Sequence, residues 1–327
     1  MASPSSWDYG ARSKLAVADL NIHMALSSPE IRKHASPGSR PRVFVGLPVY
    51  NGARFLARAL NSLLAQTYGD FVLLISDNAS SDATQGICEH YAERDSRVCY
   101  VRQPFNIGAP RNWNFVANYA DGEYFKWATA NDECSPEFIE QCVRILDADP
   151  SAVLCQGKTF LVDEETDARE PYGFDLELAD PRPSQRLKDL VIKLALNNGQ
   201  SGLIRLASLR RTGLDRPYPG GDIPLMAELA LLGKFIVVQD IFLYRRMGPS
   251  TFSRLLRTDQ LQSFYGKSSS RSLAGAQWRQ HLAIVWAALR LTNGWQETLA
   301  ATNIALRRII WDSQALASDV RRIAGFR

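Results

Sequence analysis

An α/β fold built on a mostly parallel sheet is predicted by three features of the sequence. Between Arg42 and Leu146, short apolar runs alternate four times with segments of helical periodicity. The runs are continuously apolar rather than alternating, the pattern of strands covered on both faces. The connections are short, as in successive βαβ units.

The elements follow in order. Arg42–Leu47 (RVFVGL) is the first strand, ending in the turn Pro48-Val49-Tyr50-Asn51-Gly52. Residues 53–67 form a helix with Leu56, Leu60, Leu63 and Leu64 on one face. Phe71–Ile75 is the second strand and runs into Ser76-Asp77-Asn78. Residues 81–94 are helical, with Ser81-Asp82 as a cap. Residues 98–101 are a third strand, 108–119 a third helix and 124–128 a fourth strand. Residues 136–146 are a fourth helix with proline in its first turn. Ligands of such sheets bind at the carboxyl ends of the strands. Polar clusters stand at all four ends: Tyr50 and Asn51, Asp77 and Asn78, the 106–111 segment, and Asn131 with Asp132.

The second half is less regular. Strands are expected over 153–162, 202–205 and 235–244, and helices over 185–196 and 223–232, with the loop Pro217–Asp222 between them. Two long helical stretches, 272–291 and 296–323, close the chain. Four regions result: an extension and linker at 1–41, containing an amphipathic piece at 14–26; a first half at 42–150; a second half at 151–250; and a helical region at 251–327.

Composition narrows the class. The chain has 327 residues, 46% of them hydrophobic, enough for a large core. The longest apolar candidate for a membrane span, residues 281–291, is too short and carries polar residues. The N-terminus lacks the apolar region of a secretory signal. Five cysteines without CxxC spacing suit free thiols in a reducing cytosol and no zinc site. The net charge is +4, but residues 251–327 carry eleven Lys/Arg against four Asp/Glu. Because the arginines are scattered, a solvated face on packed helices is favoured over an anionic partner, and nucleic acid is not expected.

No GxGxxG follows the first strand and no GxxxxGK[ST] occurs, so the glycine devices of dinucleotide and P-loop sites are missing. Carboxylates and amides stand at the strand ends instead. Asp77 is placed to accept from a base or ribose, or to make a turn. Arg111, in the first turn of a helix, suits a phosphate or a solvated surface. Asn131 and Asp132 are oxygen ligands of the kind Mg²⁺ or Mn²⁺ takes, or an Asx turn and cap.

Four segments, VGLPVYNGARFLARALNSLLAQTY, LLISDNASSDAT, NIGAPRNWNFV and ANDECSPEFIEQCV, together resemble the nucleotide-sugar-binding half of a family 2 glycosyltransferase over residues 42–149. The resemblance implies the GT-A fold, a Rossmann-like, mostly parallel sheet flanked by helices, here with a C-terminal helical extension. It implies a cytoplasmic enzyme, inverting and assisted by Mg²⁺ or Mn²⁺, that moves a sugar from a nucleotide-sugar donor, a UDP-sugar favoured. The acceptor would be a saccharide or a lipid-linked hydroxyl, met at the inner face of the membrane. Donor contacts are implied at Pro48, Tyr50, Asn51, Asp77, Asn106, Gly108 and Arg111. The metal motif, counted back from Pro136, falls on Thr129, Ala130 and Asn131, with Asp132 next. The usual final aspartate is therefore Asn131, and Asp132 is expected to take over; Glu133 should turn away at the helix start.

The resemblance runs more weakly to about Ser250. PYPGGDIPLMAELALLGKF matches the acceptor side, which implies Asp222 as general base and Glu228 as runner-up. The basic stretch Tyr244–Ser250 lacks the histidine common in the family and offers Arg245 and Arg246 to the leaving diphosphate. Competing readings are a degenerate fold acting as a scaffold and a nucleotidyltransferase. The latter lacks its glycine- and basic-rich triphosphate loop. Trp278, Trp286, Trp295 and Trp311 among arginines fit either a peripheral membrane contact through the terminal helices or packing on the catalytic domain or a second subunit.

Overall fold

Among the described residues nine strands, numbered along the chain, make one sheet in the order β3-β2-β1-β4-β8-β6-β9-β5, with β7 paired to β6. The coordinates are a computed structural model that describes residues 41–248, 264–265, 275–314, 316–317 and 319. The expectations for 1–40, for the end of the basic stretch at 249–250 and for the ends of the terminal helical region lie outside them. The described residues belong to a unit spanning Arg40–Arg327.

The first half follows the expected alternation. It comprises β1 (Val43–Val49), α1 (Ala53–Leu64), β2 (Phe71–Asp77), α2 (Thr84–Arg94), β3 (Val98–Arg102), α3 (Ala109–Tyr119) and β4 (Tyr124–Trp127). β1 pairs in parallel with β2 on one side and β4 on the other, and β2 pairs in parallel with β3. Every residue of β1 is buried, which is why it reads as one apolar run. α1 buries Leu56, Ala59, Leu60 and Leu63 at helical spacing.

The chain leaves β1 toward β2 and β3 but later returns to its opposite side with β4, so a switch point lies between β1 and β4. The β1–β4 ladder ends at Gly46 and Trp127. Pro48, which has no N–H, sits just beyond it and costs no ladder bond there. The sheet is thus open between these two strand ends.

The second half is mixed. It contains β5 (Glu133–Cys134), α4 (Phe138–Ala148), β6 (Ala152–Asp163), β7 (Arg169–Pro171), α5 (Pro183–Lys193), a 3₁₀ turn at Asn198–Ser201, β8 (Leu203–Arg205), α6 (Leu206–Leu209), α7 (Asp222–Leu232) and β9 (Lys234–Met247). β6 and β9 pair in parallel, whereas β8, β7 and β5 join antiparallel. The expectation that Glu133 opens a helix is corrected: it pairs with Tyr244 of β9, and α4 begins only at Phe138.

α8 (Ala276–Leu291) and α9 (Trp295–Trp311) pack on each other, α8 against α7 and α9 against α5. They bury Ile284, Ala287, Ala288, Ala301 and Ala305. Arg279 lies over the Tyr218 ring, Arg290 pairs with Glu228, and Arg308 donates to the Val191 carbonyl. These arginines bond within the protein, in line with packed helices. Apolar side chains remain outside, among them Trp286 at 63% and Trp295 at 74% exposure. No described helix is long and apolar enough to cross a membrane. All five cysteines are free and buried.

Candidate active site

A cleft of about 830 Å³ opens where β1 and β4 part. Its walls come from the segments after β1, β2 and β4, from the start of α3, from residues 194–201, from the loop before α7 and from the end of β9.

The first wall is the turn 48–52. Its backbone N–H groups are held by the loop after β2. Asn51 donates to Ser80 Oγ at 2.9 Å, Gly52 to Thr84 Oγ1 at 3.0 Å and Ala53 to Asp82 Oδ2 at 3.1 Å. Asn51 Oδ1 accepts from the Ser81 N–H at 2.8 Å. The polar run SSDAT thus satisfies the N-terminal donors of α1, a helix with no capping side chain of its own. A Cβ on Gly52 would come within 2.9 Å of Ala130 Cβ, so glycine lets this turn approach the end of β4.

Amides build the second wall. Asn78 Nδ2 donates to Asn106 Oδ1 at 2.9 Å, and Asn78 Oδ1 accepts from Ile107 at 2.8 Å. Buried Asn112 donates to the Ser76 carbonyl and accepts from its hydroxyl at 2.6 Å. Gly108, at φ 87°, lets the chain turn into α3 in a conformation other residues avoid.

Asn131 and Asp132 face the cleft after β4. The Asp132 N–H donates to Thr129 Oγ1 at 3.2 Å, and Asp132 Oδ1 accepts from the Arg246 N–H at 2.9 Å. Burial raises the Asp132 carboxyl above its usual range despite the Arg246 N–H, the Thr129 hydroxyl and nearby Arg245 and Lys126. A bound cation would favour the ionised form. Among the described residues no group of three His, Cys, Asp or Glu surrounds a common point. An amide and a carboxylate oxygen are donors of the kind magnesium or manganese takes.

At the far wall Asp222 is the first residue of α7 and lines the cleft. It makes no N-cap bond; its Oδ2 accepts from Asn197 Nδ2 at 2.8 Å. Asp215, half-buried, faces the same space. Its backbone is clamped by Asn114, whose Nδ2 donates to the Asp215 carbonyl at 2.7 Å while Oδ1 accepts from its N–H at 3.0 Å. Burial, with the charge of Asp222 adding to it, pushes the Asp215 carboxyl up to about 8.

Of the residues expected from sequence, Pro48, Tyr50, Asn51, Asn106, Asn131, Asp132, Asp222, Arg245 and Arg246 line this one cleft. Four do not. Asp77 is fully buried beneath it; its carboxylate accepts from Ser80 N–H at 2.9 Å, Tyr100 Oη at 3.1 Å and Arg102 Nη1 at 3.1 Å, so Asn78 faces the cleft in its place. Gly108 shapes the backbone behind the wall. Arg111, in the first turn of α3, is exposed and does not line the cleft. Glu228 is buried at 1% exposure and accepts from Gly213 N–H, Arg216 and Arg290, an arrangement that anchors the 213–216 loop.

The two arginines of β9 also divide. Arg245 donates from Nη1 to Asn198 Oδ1 at 2.6 Å. Arg246 is buried, stacked over Phe55 at 4.5 Å and paired with Glu133 and Asp167, which consumes most of its charge. Polar residues not expected from sequence also line it: Arg54 with its buried partner Glu164, Asn197, Gln200 and Asp215. Asp215 stands before Arg216-Pro217 in a loop with no chemical spacing to mark it.

The profile described as Glycosyl transferase family 2 matches residues 44–211, just over half of the chain. An uncharacterized glycosyltransferase of Rickettsia typhi is 34% identical over 106 residues, 32% of this chain and 32% of that protein. Glycosyltransferase GlyA of Streptococcus pneumoniae is 29% identical over 99 residues, 30% of this chain and 14% of that one. The match thus spans a third or less of these relatives' own length. Among solved structures, Staphylococcus aureus TarS residues 1–349 superpose with TM-score 0.58 at 16% identity, over 84% of this chain and 73% of that one. The mannosyltransferase PcManGT of Pyrobaculum calidifontis, solved with GDP-Man and Mn²⁺, gives TM-score 0.50 at 18% identity over 96% of each chain. At such identities the likeness establishes the GT-A fold alone.

Proposed function

The chain belongs to glycosyl transferase family 2, and from that premise we propose that it moves a sugar, with inversion, from a nucleoside-diphosphate sugar to an acceptor hydroxyl. The observation that carries the proposal is the cleft itself. Tyr50, Asn51, Asn78 and Asn106, assigned to the nucleotide, line the same space as Asn131 and Asp132 and as Asp222, assigned to the acceptor. The donor to try first is a UDP-sugar.

Each part has a physical task. The turn 48–52 and Asn78 form the nucleoside wall, held rigid by hydrogen bonds already made within the protein. Asp77 acts from beneath, keeping Arg102 and the Ser80 backbone in place. Asn131 and Asp132 would hold magnesium or manganese. The bound ion would supply positive charge to the leaving diphosphate. Arg245 adds a guanidinium on the same side, and Arg54 stands at the rim. Arg111 is left out of this assignment, since it does not reach the cleft.

Asp222 takes the acceptor proton. In one displacement the acceptor oxygen bonds to the anomeric carbon, the carbon–oxygen bond to the diphosphate breaks, and the hydroxyl proton passes to the carboxylate. Asn197 orients that carboxylate through the bond to Oδ2. A positioned base contributes about 10²–10⁴-fold. Asp222→Asn is therefore expected to lower kcat by that factor with nucleotide affinity unchanged. Full turnover in this variant would remove Asp222 from the role. The acceptor is a saccharide or lipid-linked hydroxyl. The exposed tryptophans of α8 and α9 support a peripheral contact with a lipid surface, tested by flotation of the chain with vesicles.

A further inference from the structure

Among the described residues, two buried polar atoms beside Asp222 have no partner: Asn197 Oδ1 and Gln200 Nε2. Both residues line the cleft, and Gln200 is only 8% exposed. Their other polar atoms are engaged. Asn197 Nδ2 donates to Asp222 Oδ2 at 2.8 Å and to Gln200 Oε1 at 3.4 Å. Because the carboxylate can only accept, the Asn197 amide turns its nitrogen to Asp222 and its oxygen away from it. Gln200 Oε1 in turn faces Asn197, so its NH₂ points away.

The segment that carries them is anchored. The Leu196 N–H donates to Tyr172 Oη at 3.0 Å, Asn198 accepts from Arg245, and the Gly202 N–H closes the 3₁₀ turn on the Gly199 carbonyl at 2.9 Å. The two orphan atoms are therefore held in place. Buried polar groups in native proteins are almost always paired, and two unpaired atoms on residues that line a cleft point to a ligand.

We propose that Asn197 and Gln200 form a subsite that reads saccharide hydroxyls next to Asp222. The subsite offers one acceptor and one donor, and a hydroxyl both donates and accepts. Two neighbouring hydroxyls of a pyranose match the pair, whereas a phosphate, acceptor only, would meet the Asn197 oxygen and the Asp222 carboxylate unfavourably. The inference rests on the transferase reading and deepens it by assigning the sugar-contacting residues. The hydroxyls belong either to the donor sugar or to the acceptor sugar.

Gln200→Met removes the donor at nearly equal size, and Gln200→Glu replaces it with an acceptor. Thermal melting identifies whichever variant stays folded. UDP, GDP and the matching sugars UDP-glucose and GDP-mannose are titrated into wild type and variant, and acceptor KM is measured with a saccharide panel. A neutral hydrogen bond corresponds to about 2–10-fold in affinity. If the donor sugar is read, nucleotide-sugar binding weakens by about that factor while diphosphate binding is unchanged. If the acceptor is read, both are unchanged and acceptor KM rises by the same factor. Unchanged sugar affinity and unchanged KM in a folded variant overturn the subsite alone. Absence of any nucleotide binding in the wild type overturns the transferase reading and the subsite with it.

Discussion

Replacing Glu228 by alanine should destabilise the protein far more than it impairs the chemical step. Its carboxylate accepts four hydrogen bonds: Gly213 N–H at 2.8 Å, Arg216 Nη1 at 3.1 Å and Nη2 at 3.0 Å, and Arg290 Nη2 at 2.9 Å. Breaking a buried ion pair from one side costs about 3–5 kcal/mol. Arg216 and Arg290 are 19% and 38% exposed, so their heads recover some hydration and the lower end, about 3 kcal/mol, applies. For a domain of this size that lowers Tm by roughly 6–12 °C. Glu228→Gln keeps one acceptor and should lose about half as much. The assay is thermal and urea unfolding beside transfer kinetics at a temperature where both variants are folded. A wild-type Tm together with a hundredfold or greater loss of kcat would refute the structural role and make Glu228 a reacting group.

Two further predictions concern charge in the cleft. Asp215 ionises near 8 in the folded protein and near 4 when unfolded. The native state therefore keeps a proton that the unfolded chain gives up. The stability this group confers is complete below about pH 4 and lost as pH rises through about 8. Asp215→Asn should lose less stability than wild type between pH 5 and pH 8.5 in urea unfolding, the raised Asp132 carboxyl preserving part of the slope; identical slopes would contradict this. Asn131→Asp adds a charge to the metal-binding pair. Its nucleoside-diphosphate affinity should rise with Mn²⁺ and fall without it, widening the ratio measured by calorimetry, since ligand charge tunes divalent affinity; an unchanged ratio would remove Asn131 from the metal site.

The parts of the fold and site that depend on local pattern were legible in the sequence. The runs read at 42–47 and 71–75 fall in strands Val43–Val49 and Phe71–Asp77 that are buried on both faces, so their composition announces parallel strands. Residues at strand ends, Tyr50, Asn51, Asn131 and Asp132, reach the cleft because topology alone puts them there. What local pattern could not show depends on distant partners. Asp77 ends the right strand, but Tyr100 and Arg102 on the neighbouring strand occupy its carboxylate. Glu133 joins a strand because Tyr244 lies beside it, a pairing across more than a hundred residues that no local period encodes. Arg245 and Arg246 look equivalent in sequence, yet strand alternation sends them to different partners. Asn197, Gln200 and Asp215 enter the cleft through the packing of α5, the 3₁₀ turn and the 213–216 loop, and no motif marks them.

The most direct test is calorimetric titration of UDP, GDP and dTDP into the full chain, each with and without Mn²⁺. One of the three should bind at one site per chain, more tightly with Mn²⁺. Binding that is tight but indifferent to metal would shift neutralisation of the diphosphate to Arg245 and Arg54 while leaving the transferase reading in place. No binding of any of the three would contradict it, and the cleft between β1 and β4 would then belong to a scaffold on a glycosyltransferase fold.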